Sequence, residues 1–327
     1  MEDLADYFAK ITEEFLPLGH SEIPFTYDRE VQDLNPTGIV ERLIDMKKPK
    51  SSVIIDPLSR FVQMHAALFA CPLARIINNI RAGGSWPKLW AEEEVSVIPK
   101  GANANSYASC RNISCISIFS KLTESYMLDD LNNEVSLSTS QYGAQKGSGP
   151  PRMLVDLMTK SLEQLDDNQA AVSVILIDFE KAFNRMHHQA CLFALASKGA
   201  SNQTLSTVVA FLSGRSMRIK IGRTLSTPRA TPGGAPQGTK AGNFLFCVTV
   251  DGIDKEDYLE RVMPNVHATR TNDKEATPDQ EPVRTSPELA AVPPQEIARQ
   301  SSLASSISRY GMPESPHDCF SLCEIDF

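Results

Sequence analysis

The stretch Val174-Ile-Leu-Ile-Asp178-Phe-Glu-Lys-Ala-Phe183-Asn-Arg-Met186 decides which fold we expect of this chain. Its first half is aliphatic and β-branched, which predicts a short strand buried on both faces. Its second half has helical spacing, and Gly199 stands where such a helix would end. Asp178 would therefore lie at the carboxyl end of a strand, where a metal ion or a phosphate can be reached. The competing interpretation is that Asp178 caps the following helix.

Length and composition indicate an ordered protein. A chain of 327 residues with 42% hydrophobic content can bury a core, and one or two domains are expected. Its seven cysteines show no framework of spacings and its acidic start does not resemble a signal peptide, so we expect an intracellular location, in the cytoplasm or the nucleus. The longest apolar stretches are too short or too broken to span a bilayer, so no membrane role is expected.

The charge of the chain is unevenly distributed. Residues 181–250 contain nine Lys and Arg but no Asp or Glu, so the rest of the chain carries a net −17, which leaves −8 overall. This segregation is typical of a surface that binds a polyanion, although a solvated basic face would give the same count. Within the block, Met217–Ile221 alternates apolar and basic residues. The alternation predicts a strand with a cationic outer face, followed by a hairpin turn at Gly222-Arg223.

Local patterns predict the remaining elements. An amphipathic helix of about four turns is expected from Leu4 to Phe15. Further helices are predicted from Asn35-Pro36 onward and at 57–81, 116–131, 153–165, 201–214 and 243–252, a strand at 95–100, and a Gly/Pro loop at 231–240. The helix at 153–165 should bury the apolar residues Leu154, Leu157, Met158 and Leu162. After about Arg261 the composition is Pro-, Ser-, Glu- and Gln-rich, which predicts a disordered tail.

Several separated blocks together resemble one family. Ile177-Asp178-Phe-Glu-Lys-Ala-Phe183-Asn-Arg resembles the first catalytic motif of reverse transcriptases from non-LTR (LINE-like) retrotransposons, and Gly234-Ala-Pro-Gln237-Gly238-Thr is similar to their second motif. Finger segments match in the same order at Trp90, Val97-Ile-Pro-Lys100, Arg111-Asn-Ile-Ser and Gln141-Tyr-Gly-Ala. The resemblance covers roughly residues 36–254, and ordered agreement over so many blocks is specific.

The resemblance implies an α/β (α+β) fold, a right-hand polymerase with fingers and a partial palm, and no thumb. The expected division is an N-terminal helical extension at 1–34, fingers at 35–170, a partial palm at 171–261 and a disordered tail at 262–327. The implied partners are an RNA template, a DNA primer and a deoxynucleoside triphosphate. The implied cofactor is Mg²⁺ or Mn²⁺.

The resemblance also implies roles for single residues. Asp178 would be the catalytic carboxylate that holds the metal ions. Lys100 and Arg111 would grip the triphosphate, Phe183 would screen the sugar 2′ position, and Gln237 and Gly238 would line the nucleotide and template pocket. In-line phosphoryl transfer needs metal ions held by carboxylates and cations that neutralise developing charge. Separately, the basic block suggests four residues that contact nucleic acid: Arg215, Arg218, Lys220 and Arg223.

The chain departs from the family at the third catalytic motif. No Tyr-x-Asp-Asp occurs in the 327 residues. A single aspartate is a poor site for two metal ions, whose mutual repulsion must be offset by several anionic ligands. We therefore expect a reverse transcriptase fragment, truncated before this motif and inactive as this chain. Two alternatives stay open: a non-catalytic nucleic-acid-binding module that uses residues 181–250, and an active polymerase completed by Asp251, Asp254 or another chain.

Overall fold

The computed structural model describes residues 1–13, 15, 17–18, 24, 26–30, 32–46, 59–100, 106–145, 147–166, 172, 174, 179 and 181–252. Asp178, the tail after residue 252 and most of the predicted strand before Asp178 lie outside these ranges. The α-helices are α1 (Glu2–Lys10), α2 (Pro36–Asp45), α3 (Ser59–Met64), α4 (Ala66–Arg81), α5 (Lys88–Ala91), α6 (Ile118–Glu134), α7 (Pro150–Asp166), α8 (His188–Ser197), α9 (Asn202–Leu212) and α10 (Lys240–Val250). The strands are β1 (Glu92–Pro99), β2 (Cys110–Cys115), β3 (Ser216–Ile221), β4 (Thr224–Leu225) and β5 (Arg229–Ala230).

These strands form one mixed sheet in the order β2-β1-β3-β4, with β5 also paired to β3. β1 and β2 are antiparallel, whereas β1 and β3 are parallel, with Val95 opposite Ile219. The α/β class predicted from the sequence is confirmed. β3 and β4 form the predicted hairpin, and Gly222 opens its two-residue turn with φ +61°. A glycine with positive φ at this position is typical of a type II′ turn, which matches the twist of the flanking strands.

Helix α1 covers the centre of the sheet. Its residues Ala5, Phe8 and Ala9 form a buried cluster with Val95, Met217 and Ile219 of the strands. The helix ends at Lys10 and is shorter than the four turns expected, although Phe15 beyond it is also buried. Apolar spacing shows which residues face inward, and it continues past the end of the helix.

Two helices, α2 and α9, start at side-chain caps that the sequence predicts. The Asn35 side chain accepts from the Thr37 amide at 3.0 Å, and Pro36 is the first residue of α2. Ser201 caps α9 in the same way. Each cap satisfies an amide that has no partner inside the helix.

Two expectations for helices are wrong. Residues 181–185 form turns, and the helix after Asp178 starts only at His188, whose predecessor His187 caps it through its ring. In α7, Leu154, Met158 and Leu162 are each more than half exposed, so the apolar side of this helix is not buried as expected. No helix within the described ranges combines the length and apolar character that crossing a bilayer requires.

The chain divides into two compact units. One consists of Met1–Ser136 and Phe183–Phe246, and the other of Leu137–Ala182 and Cys247–Phe327, of which the described part ends at residue 252. Helix α1 lies in the same unit as the sheet. The division at 34, 170 and 261 stays a prediction.

Candidate functional site

Backbone hydrogen bonds join two segments: Phe183–Met186, at the end of the first-motif stretch, and Gly234-Ala235, at the start of the second-motif loop Gly234–Lys240. The Gly234 amide donates to the Met186 carbonyl at 2.9 Å, and the Ala235 amide donates to the Phe183 carbonyl at 2.8 Å. Gly234 has φ +78°, and a Cβ on it would lie 2.7 Å from the Asn184 carbonyl oxygen. Both facts require glycine here, because a side chain would strain the backbone and push the segments apart.

The far end of the second-motif loop contacts the sheet. The Gln237 carbonyl accepts from the Ser114 amide of β2 at 2.8 Å. Gly238 has φ +95°, and a Cβ there would meet Ile113 at 3.3 Å. The loop is thus held between β2 and residues 183–186 by main-chain contacts, which fix where the Gln237 side chain can reach.

The Phe183 ring packs against the helix that follows this loop. Its centroid lies 5.3 Å from that of Phe246 in α10, with the planes at 40°. Phe183 is half-buried, so part of the ring remains accessible. An aromatic ring held in this way has a defined position, which is needed if it is to screen a ligand by its shape.

Lys100 and Arg111 lie at the same end of the β1–β2 hairpin. Pro99 pairs with Cys110 and Ile98 with Arg111, and the Lys100 amide donates to the Ser109 carbonyl at 2.9 Å. Both basic residues are exposed. β2 also carries the contact to the second-motif loop, so one strand links Arg111 to Gln237 and Gly238.

Comparisons with known proteins identify the family of the chain. The family model described as reverse transcriptase (RNA-dependent DNA polymerase) matches residues 98–264, just over half of the chain. The chain belongs to the reverse transcriptase family. It is 26% identical over 235 residues to the probable RNA-directed DNA polymerase from transposon BS of Drosophila melanogaster, a match that covers 69% of this chain and 25% of that protein.

Two further relatives come from mobile elements. Identity is 25% over 251 residues to the RNA-directed DNA polymerase from mobile element jockey of Drosophila melanogaster, covering 72% of this chain and 27% of that protein. Identity is 24% over 173 residues to the retrovirus-related Pol polyprotein from type-1 retrotransposable element R2 of Popillia japonica, covering 52% and 24%. The chain thus spans about a quarter of the length of these curated relatives. The predicted kinship with non-LTR retrotransposon reverse transcriptases is confirmed.

Reverse transcriptases generally use divalent metal ions, and the carboxylate expected to hold them here, Asp178, lies outside the described residues. Within the described ranges, no three His, Cys, Asp or Glu side chains are grouped so that they could hold a metal ion. Asp251, a candidate to complete the site, is buried and accepts from the Ser138 amide at 3.0 Å, while Asp254 is not described. We therefore assign no metal-dependent step to the described residues.

The prediction that β3 presents a cationic outer face is wrong. Arg218 lies 2.7 Å from Glu92, and Lys220 lies 2.8 Å from Glu94. In the parallel register of β1 and β3, Glu92 is opposite Ser216 and Glu94 is opposite Arg218, so each cation pairs diagonally with the glutamate two residues back on the same face. Both positive charges are thus paired within the sheet. The run of three glutamates at the start of β1 was the signal in the sequence, but the local pattern did not show that β1 and β3 are neighbours.

The other two residues expected to bind nucleic acid differ in position. Arg215 is buried and lies 3.7 Å from Glu93, with its guanidinium 5.0 Å from the Phe211 ring centroid. A buried side chain cannot reach a nucleic acid, so its expected role at the surface is also wrong. Arg223 is exposed in the β3–β4 turn, and its contact with nucleic acid stays a prediction.

Proposed function

We propose that this chain carries the nucleotide- and template-binding part of an RNA-directed DNA polymerase of a non-LTR retrotransposon. The observation that carries the proposal is the backbone pairing of Phe183–Met186 with Gly234-Ala235. Two segments that are distant in sequence, and that both resemble polymerase motifs, converge on one place. Small residues in the loop leave room for a nucleotide or a template backbone to come close.

The proposed roles follow from the chemistry of each side chain. Lys100 and Arg111 would neutralise the triphosphate, and the Phe183 ring would exclude a sugar that carries a 2′ hydroxyl. Gln237 would offer an amide to the base or backbone beside Gly238. Asp178 would hold Mg²⁺ or Mn²⁺, which in this family activates the incoming nucleotide for phosphoryl transfer. RNA template and DNA primer are the proposed partners.

We further propose that these 327 residues do not extend a primer unaided, because no Tyr-x-Asp-Asp supplies the carboxylates that two metal ions need. The alternative of a purely nucleic-acid-binding module relied on the nine cations of residues 181–250. Three of them, Arg215, Arg218 and Lys220, lie close to glutamates, which weakens that alternative.

The test is primer extension and binding on a poly(rA)–oligo(dT) duplex, with Mg²⁺ or Mn²⁺, for the wild type and Asp178→Ala. We expect no extension by either protein. Binding of the fluorescent duplex should survive Asp178→Ala, fall with salt, and weaken in Arg223→Ala by about fivefold, whereas the exposed control Arg75→Ala should bind as the wild type does.

Each part of the proposal has an outcome that contradicts it. Extension by the wild type and not by Asp178→Ala would show that a second carboxylate completes the site. Absence of binding by a folded wild-type chain would show that the proposed pocket does not take this ligand.

A further inference from the structure

The first residue of the second-motif loop, Gly234, contacts a buried histidine. His188 Nε2 donates to the Gly234 carbonyl at 2.6 Å, and the ring is almost completely inaccessible. Burial lowers the pKa of His188 to about 4, which outweighs the hydrogen bond that favours the protonated ring. The imidazole is therefore neutral at physiological pH, with its proton on the nitrogen that faces the loop.

A buried carboxylate contacts the chain where the loop ends and α10 begins. Glu124 of α6 accepts from the Ala241 amide at 2.6 Å, in the first turn of α10. The first amides of a helix have no hydrogen-bond partner within the helix. An anion at this position accepts hydrogen bonds from them and interacts favourably with the helix dipole. Inside the loop, Thr239 Oγ1 accepts from the Gly242 amide at 3.0 Å and donates to the Pro236 carbonyl at 3.1 Å.

Arg215 supplies the opposite charge. Burial raises the pKa of Glu124, while the Ala241 amide and the positive charge of Arg215 lower it. The guanidinium of Arg215 donates to the Phe211 carbonyl at 3.2 Å and is also attracted to Glu93. A buried carboxylate is tolerated when it has both a cation nearby and amide donors, and Glu124 has both.

We propose that Glu124 and His188 are positioning residues that hold the loop Gly234–Lys240 in its binding conformation. Neither side chain would touch the ligand. They act at the two ends of the loop, and the loop between them carries Gln237 and Gly238. The part of this inference that concerns ligand binding rests on the proposed function, whereas the conformation of the loop does not.

The test compares Glu124→Ala with a matched control, Glu134→Ala. Glu134 is also in α6, accepts from the Ser201 amide at the start of another helix at 2.8 Å, and pairs with Arg29 at 2.7 Å. Removing it costs a similar carboxylate–amide contact without touching the loop. Two quantities are measured on the full chain: amide hydrogen exchange of peptides covering 237–243, and affinity for fluorescent poly(rA)–oligo(dT).

We expect Glu124→Ala to speed exchange at 237–243 and to weaken duplex binding, each by about tenfold, the ratio that corresponds to losing one hydrogen bond to a charged group. Glu134→Ala should leave both within about twofold of wild type. Glu124→Gln, which keeps an acceptor for the Ala241 amide, should recover most of the protection and binding. If the alanine substitution unfolds the chain, Glu124→Asp takes its place, because its carboxylate is one methylene too short to reach the Ala241 amide, and it should also speed exchange.

The results that would overturn this inference differ from those that would overturn the proposed function. Unchanged exchange at 237–243 in folded Glu124→Ala, or in Glu124→Asp where the alanine variant does not fold, would overturn the inference, as would equal effects of Glu124→Ala and Glu134→Ala on the loop. If the wild type binds no duplex, the proposed function fails, and the exchange measurement alone still decides whether Glu124 holds the loop.

Discussion

Gly234 is the residue where the two motif segments come closest. Replacement by alanine adds a Cβ 2.7 Å from the Asn184 carbonyl and 2.8 Å from that of Phe183, at a φ of +78°. We expect Gly234→Ala to lower the free energy of unfolding by about 3 kcal/mol, because backbone strain and steric overlap act together. It should also weaken binding of poly(rA)–oligo(dT). Denaturant unfolding and fluorescence anisotropy measure the two effects.

Gly222 is the control for this substitution. It has φ +61°, but nothing lies within 4 Å of an added Cβ. Gly222→Ala should therefore show the strain alone, about 1 kcal/mol, with normal duplex binding. Equal losses of unfolding free energy in Gly234→Ala and Gly222→Ala would mean that the close approach of Gly234 to residues 183–184 is absent in solution.

His188 makes stability depend on pH. Burial is the largest cause of its lowered pKa, with smaller contributions from His187 and Arg215, and the folded value is about 4 against 6.5 for an ordinary histidine. Between these values the unfolded chain binds a proton that the folded chain does not. The contribution of His188 to the free energy of unfolding is therefore complete above pH 6.5. It is lost as the pH falls toward 4, by up to about 3 kcal/mol.

The variant His188→Gln keeps an N–H donor for the Gly234 carbonyl but does not titrate. Its unfolding free energy should change less than that of the wild type between pH 7 and pH 4, and chemical denaturation at several pH values measures the difference. His65→Gln, at an exposed histidine, is the control and should follow the wild-type profile. Parallel profiles for His188→Gln and wild type would contradict the prediction.

At the scale of elements, the pairing of β1 with β3 determines how much positive charge the sheet presents. Glu92→Gln should release Arg218 from its 2.7 Å contact. We expect tighter binding to poly(rA)–oligo(dT) and a salt dependence steeper by about one unit in log–log slope, because one more cation becomes available to phosphates. Glu41→Gln changes the net charge equally at an exposed position in α2 and should have a smaller effect. A salt slope common to both variants would show that the pairing does not shield Arg218.

Local sequence patterns predicted individual strands and turns well, but they did not predict which distant strands pair with each other. The alternation around Met217 and Ile219 and the turn at Gly222 correctly predicted the β3–β4 hairpin. The parallel partner β1 was missed because its residues are distant in sequence and no local period encodes the pairing. Arg215 was expected at the surface because it belongs to the basic block, although the alternation of Met217 and Ile219, continued two residues back, places it on their buried face.

The candidate site shows a similar division. The glycines and prolines of residues 231–240 predicted the loop, because they are strong local signals for turns. The roles of Phe183, Gln237 and Gly238 came from the resemblance to the family and stay predictions. The sequence did not single out Glu124, which resembles any charged residue of an amphipathic helix until the start of α10 is placed beside it. Its pattern could not reveal the contact, since helical spacing identifies a face and not the element that covers it.

For the whole molecule, the main consequence concerns the apolar surface that remains exposed. Helix α7 has no buried residue, although Leu154, Val155, Met158, Leu162 and Leu165 are all apolar and exposed. A contiguous apolar face of this kind promotes association or binds hydrophobic dyes.

The double variant Met158→Lys with Leu162→Lys tests this description. Because both side chains are more than half exposed, the free energy of unfolding should change by less than about 0.5 kcal/mol, while dye binding falls and solubility rises. Leu131→Lys in α6, where the side chain is fully buried, is the contrast and should unfold the protein or destabilise it by several kcal/mol, about the cost of burying an unpaired charge. If the α7 variant is destabilised to a similar degree, the face is packed in solution, and the burial predicted from its helical spacing would be correct after all.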